Sequence, residues 1–173
     1  MKATMIAIAC GILLAGSSLR ATEPETTSPE RSPPNPHSGK AVLQGFISAW
    51  NHHDFAAFDA LLAPDAVYED IAWELRGEGV EQIKGLMRDM IASEPDYSWR
   101  LTNVIATGRV VAAEWTWTAT FTGDLGPACG HVVGLHSTVR GVAVAVIESG
   151  RIKRFTDYYD MASFCRKPSA GKQ

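Results

Sequence analysis

Cysteine is scarce: three in 173 residues, at Cys10, Cys129 and Cys165. They form no metal-binding cluster, and no HExxH or His–carboxylate spacing offers another ligand set. Phosphate-binding loops, dinucleotide fingerprints and the GxSxG nucleophile turn are absent as well, so no metal and no cofactor is expected. Basic residues are scattered. The 16 Lys and Arg against 19 Asp and Glu give a net charge of −3, and only Arg151, Lys153 and Arg154 lie close together. That excludes the electrostatic footprint of a nucleic-acid binder. No apolar run reaches the roughly 20 residues of a transmembrane helix. Heptads, a Gly-X-Y period and internal repeats are missing too. What is present is the balance of one soluble globular domain, 46% hydrophobic and 20% charged.

The longest apolar run is Met5 to Gly16, after Lys2 and before Ser17-Ser18-Leu19-Arg20-Ala21. One positive residue, an apolar stretch and then small residues are the layout of a secretory signal peptide over residues 1–21. Cleavage after Ser17 and after Ala21 both fit. Cys10 has too few apolar residues before it for a lipoprotein signal. The expected location is therefore periplasmic or secreted. An apolar N-terminal helix of the domain is the alternative, weakened by the composition of the next segment. Residues 22–38 hold five of the nine prolines and almost nothing apolar. Such a stretch cannot offset its ordering entropy and reads as a disordered tether. The folded unit is expected over 39–166, with a flexible tail at 167–173. In an exported chain Cys129 and Cys165 are a disulfide candidate that would pin the C-terminus. Two separate thiols are the alternative.

Within 39–166, apolar residues first recur at helical spacing. Val42, Leu43, Phe46, Ile47, Ala49 and Trp50 make one face of a helix over Lys40–His53. Asp54 looks like the N-cap of a short helix carrying Phe55, Phe58, Leu61 and Leu62. Ala66–Ile71 alternates as a strand, Gly77 and Gly79 break the chain, and Val80 to Ile91 predicts a third amphipathic helix stopped before Pro95. Beyond Pro95 the period falls to two. Strands are expected at Tyr97–Thr107, Arg109–Thr122, His131–Ile147 and Ile152–Tyr159, joined by hairpins and hence antiparallel. Helices followed by a meander mean α+β. The helices are expected to pack on one face of a curved sheet, which curled around them leaves a conical cavity.

Three stretches together resemble the nuclear transport factor 2-like superfamily, which includes ketosteroid isomerase, limonene epoxide hydrolase and the SnoaL-like polyketide cyclases. They are Phe46–Asp54; Leu62–Asp70 followed by Gly77 and a helix from Gly79; and Gly141–Val144 through Gly150-Arg151-Ile152 to Asp157-Tyr158-Tyr159-Asp160. The resemblance implies a cone-shaped α+β barrel, three N-terminal helices packed in a curved mixed, mostly antiparallel sheet, whose cavity takes a small hydrophobic molecule. It places Asp70 where the isomerases keep their proton-shuttling aspartate. Asp157 matches the closing-strand aspartate, which in the epoxide hydrolases resembles an acid, and Tyr68 matches a pocket tyrosine that helps to hold water. The same stretches depart from both enzymes. Phe46 stands where the isomerase has an oxyanion tyrosine, and the apolar run Val142–Val146 where it has a protonated aspartate. Trp115-Thr116-Trp117 replaces the hydrolase's Arg-x-Asp. Neither reaction is expected unchanged, since such donors carry several kcal/mol of a barrier reduction.

The residues themselves support two acids in an aromatic pocket. A carboxyl at the mouth of an apolar pocket has a raised proton affinity and can take and return a proton. Asp70 fits that role; a solvated aspartate beside Glu69 is the plainer reading. Phe155, Asp157 and Tyr159 share one strand face, where a charge between aromatics is costly unless partnered. Trp115 and Trp117 share a face and offer an apolar wall, as Trp50 and Trp73 do; core packing is the alternative for each. His136 is a pocket candidate, on the face opposite His131 if the strand is regular. Asp160 reads as a turn or cap residue. Asp157 and Asp70 are thus the candidate catalytic pair, with Tyr68, Trp50, Trp73, Trp115, Trp117, His136 and Tyr159 as candidate substrate-binding residues. Three rivals stand: an acid/base enzyme (isomerase, cyclase, dehydratase or hydrolase), a non-catalytic hydrophobic-ligand carrier, and a homodimeric interaction domain using the outer sheet face.

Overall fold

A computed structural model of the chain describes residues 38–125 and 129–163. The expected signal peptide and tail lie outside them, as does the tether except for Ser38. Ser38 belongs to the fold: its side chain caps α1 (Gly39–Asn51) by accepting from the Ala41 amide at 3.2 Å. α1 buries the expected face, Val42, Leu43, Phe46, Ile47, Ala49 and Trp50. Asp54 caps α2 (Phe55–Leu61) through the amides of Ala56 and Ala57, both at 3.1 Å. α3 (Val80–Ser93) packs Ile83 and Met87 inward. Lys84 reaches from α3 to Asp59, at 2.7 Å, and to Glu81, at 3.1 Å.

The six strands are β1 (Leu62–Asp70), β2 (Leu75–Glu78), β3 (Ser98–Thr107), β4 (Val110–Thr120), β5 (His136–Glu148) and β6 (Arg151–Tyr159), in the order β2-β1-β6-β5-β4-β3. β3 to β6 are an antiparallel meander, as the hairpin spacing predicts. Ser149 and Gly150, both with positive φ, make the two-residue loop between β5 and β6. β1 joins β6 in parallel and β2 in antiparallel. The sheet is curved but open, with β2 and β3 as its edges, so the barrel is incomplete.

Three local expectations need correction. β1 starts at Leu62, four residues early, because an irregularity between Leu62 and Val67 takes up Pro64, which has no amide to give a ladder. Gly77 does not break the chain: it sits in β2, pressed against α3, where a Cβ would meet Leu86 at 3.0 Å and Ile83 at 3.4 Å. Residues 131–135 are a turn and not strand, closed by Leu135 N–H to Val132 O at 2.8 Å with Gly134 at φ +77°.

The concave face of the sheet carries the large side chains. Tyr68, Trp115, Trp117, Phe155 and Asp157 point inward from three strands and are buried. Phe46 of α1 packs on Phe155 and Phe58 at 5.1 and 5.3 Å between ring centres, and Tyr68 stacks on Phe155 at 5.4 Å. β5 supplies small residues opposite them: Gly141, Ala143 and Ala145. Gly141 pairs with Trp115, and the indole lies across it. A Cβ there would fall on the indole and 2.7 Å from the Tyr158 carbonyl oxygen. Gly141→Val is therefore expected to destabilise the domain by about 1–3 kcal/mol, the usual cost of overpacking. Urea denaturation measures it, and a variant as stable as the wild type would show that Trp115 is not seated there.

Candidate functional site

Between α3 and the inner face of the sheet lies a cavity of about 310 Å³. α1 contributes Trp50, β1 Tyr68 and Asp70, the β1–β2 turn Trp73, and β2 Leu75. α3 adds Leu86, Asp89, Met90 and Ser93, and Glu94 follows at its end. β3 gives Trp99, β4 Trp115 and Trp117, the following loop Leu125, and β6 Asp157 and Tyr159.

Asp70 and Asp157 are direct neighbours across the parallel β1–β6 ladder. Their exposures are 6% and 2%. Each acid has its own donors. Trp115 Nε1 donates to Asp157 Oδ1 at 3.0 Å, and the Tyr68 hydroxyl to Oδ2 at 3.2 Å. The Tyr159 hydroxyl donates to Asp70 Oδ2 at 2.6 Å, and the Trp73 amide to Oδ1 at 3.0 Å. Burial, and after it the nearby Asp70 charge, push the Asp157 carboxyl well above the usual carboxylate range; Tyr68 and Trp115 oppose this and lose. Burial also raises Asp70, against Tyr159 and the amides of Trp73 and Ala72. Carboxyls on residues paired in register do not both ionise readily, so the two titrate as a coupled pair. Burial, then Asp157 and Asp70, raise Tyr68 as well, which keeps its hydroxyl a donor.

Of the nine substrate-binding and catalytic candidates, eight line this one cavity. His136 does not. It is exposed at the start of β5, with Nδ1 3.0 Å from the Thr120 hydroxyl. The odd-numbered Ser137, Val139 and Ala143 are the buried set of β5, so an even position faces out. Asp160 caps the short 3-10 turn Met161–Ser163 through the Ala162 amide, at 3.0 Å. Cys129 is disulfide-bonded. Cys165 lies outside the described residues.

Two site residues escape a reading of the sequence. Trp99 sits opposite Trp117 across the β3–β4 ladder. Glu94 is 6% exposed, and its Oε2 has no hydrogen-bond partner. Burial first, then the charges of Asp96 and Asp70, push its carboxyl up to about 8. The chain does carry a signal for Glu94: it follows Ile83, Met87 and Met90 at helical spacing, on the apolar face of α3.

An acid raised in the folded state binds its proton more tightly there than in the unfolded chain. Its stabilising contribution is complete below the unfolded pKa and is lost as pH rises through the folded one. For Glu94 that window runs from 4.5 to about 8. Glu94→Gln is expected to flatten the fall in stability across this range, by up to a few kcal/mol. Thermal melts of both proteins between these limits measure it; parallel pH profiles would show that Glu94 is not a buried acid.

A profile of the SnoaL-like domain family matches residues 43–155. No curated protein sequence matches the chain. Solved structures share the fold. A candidate polyketide cyclase from Pseudomonas putida is 26% identical, with a TM-score of 0.62 over 74% of this chain and 96% of that one. An LEH-like epoxide hydrolase of M. tuberculosis is 25% identical, with a TM-score of 0.58 over 72% of this chain and 84% of that one. IdmH, a candidate polyketide cyclase from Streptomyces antibioticus, is 19% identical, with a TM-score of 0.63 over 72% of this chain and 94% of that one. The curved open sheet with three helices packed against it and the profile match agree: the chain belongs to the SnoaL-like domain family, within the nuclear transport factor 2-like superfamily.

Proposed function

We propose that the domain is an acid/base enzyme that moves a proton on a small, largely apolar molecule held in the cavity. The observation that carries this reading is the Asp70–Asp157 pair: two buried acids, adjacent in register and facing one void. Environments that separate two carboxyls assign their roles. Asp70 has the Tyr159 hydroxyl and the Trp73 and Ala72 amides to stabilise its charge, so it is the base. Asp157, pushed further up, holds the proton and is the acid. Tyr68 and Trp115 fix its two oxygens. Isomerisation, cyclisation, dehydration and hydrolysis all use such a pair, and the aromatic walls suit a flat substrate.

A hydrophobic-ligand carrier of the same fold is the rival, and the two separate cleanly. With a panel of cyclic ketones in deuterium oxide, NMR should show α-proton exchange catalysed by the wild type. Asp157→Asn and Asp70→Asn should each slow it by about 10²–10⁴-fold, the usual worth of a positioned acid or base. Ketone binding without exchange in the wild type would make the domain a carrier.

Export to an oxidising compartment belongs to the same proposal; the disulfide at Cys129 supports it. So does homodimerisation through the outer sheet face. There Val142 and Tyr158, cross-strand neighbours, are 40% and 48% exposed. Sedimentation should give a dimer that Tyr158→Asp dissociates; a monomeric wild type would remove the outer face as an interface.

A further inference from the structure

The chain has five tryptophans, and all five line one cavity. Every charged side chain on that lining is acidic: Asp70, Asp89, Glu94 and Asp157. No Lys, Arg or His joins them among the described residues. Glu94 is buried with Oε2 lacking any hydrogen-bond partner. These observations are independent, and they agree on the sign of what fits. Aromatic rings attract cations at roughly 0.5–2 kcal/mol apiece, most strongly when water is excluded. Asp70, Glu94 and Asp157 are buried, and a carboxyl removed from water either keeps its proton or takes a cation beside it. A neutral apolar molecule would use the rings alone and leave the acids protonated, whereas a cation uses rings and acids together. An anion would be repelled by both.

We propose that the ligand of this cavity is an organic cation, a substituted or quaternary ammonium group on a small apolar body. The proposal rests on the cavity being the ligand site and adds the charge class. The volume, about 310 Å³, suits a molecule of that size. Rings and acids divide the work. The tryptophans take the alkyl groups of the ammonium, and the carboxyls supply the countercharge.

Charge compensation couples to protons. Glu94 is faced by Asp96 just beyond it, Asp70 from β1, Tyr97 at the foot of β3 and Tyr159 from β6, and Asp89 of α3 lines the same cavity. His53 stands behind Tyr97, and His136 behind Asp96. Burial favours the protonated forms of Glu94 and Asp157 in the empty cavity. A bound cation draws those protons off, so its affinity rises with pH.

Titration calorimetry of the full chain with choline and with its neutral carbon isostere, 3,3-dimethylbutan-1-ol, tests this. Choline should bind at least about tenfold more tightly. Its affinity should rise from about pH 6 to about pH 9 with proton release, while that of the alcohol stays level. Glu94→Gln should weaken choline about tenfold and spare the alcohol. The wild-type comparison stands whether or not that variant folds. An alcohol that binds as tightly as choline, or a choline affinity that falls with pH, would overturn the charge class and leave the cavity as a neutral-ligand site. Binding of neither probe would overturn both.

Discussion

Asp157 sets the terms for the rest of the domain. A carboxyl with 2% exposure is costly to bury, and it is retained only because its surroundings meet it on every side. Trp115 from β4 and Tyr68 from β1 supply the two donors, so three strands must be in register to hold one side chain. Trp115 reaches it by lying across Gly141 of β5, the strand between. Tyr68 is fixed in turn by stacking on Phe155, whose ring carries the packing of Phe46 in α1. Helix, sheet and acid are therefore one connected arrangement.

The family places this arrangement in a fold that serves many chemistries, so the activity must be argued from the site. The departures from better-known members become intelligible in the cavity. Phe46 stands where the isomerase resemblance puts an oxyanion tyrosine, and here it is sealed in the hydrophobic core with Phe58 and Phe155. Trp115 stands where the hydrolase resemblance puts an arginine, and its indole is a neutral donor to Asp157. A carboxylate beside a guanidinium stays ionised; one beside an indole and a phenol, out of water, does not.

Much of this is legible in the chain. The helical face of α1, the Asp54 cap and the alternation of β4 and β6 follow from side-chain period alone, and the strand faces already set Asp157 with Phe155 and Tyr159. Tyr68 and Asp70 likewise share a face on β1. Alternation alone does not say which face of β5 turns inward, so His136 stays a pocket candidate until Ser137, Val139 and Ala143 are seen buried. β2 stays hidden because a glycine pressed under a helix looks the same in sequence as one in a turn. Glu94 stays hidden for a different reason. A charged residue on an apolar helical face reads as the helix's end, and only tertiary packing shows that the face continues past it. The parallel union of β1 and β6 is also invisible, since pairing across some ninety residues leaves no local period.

That distant union has a consequence for how the protein comes into being. Tyr68 and Asp157 are 89 positions apart, one in the third element of the fold and the other in its closing strand. Contacts so remote along the chain form late and slowly, because the loop between them must be closed first. During synthesis Asp70 stays an ordinary solvated acid until the terminal strand emerges. The raised proton affinity of Asp157 is therefore a property of the completed sheet and of no part of it.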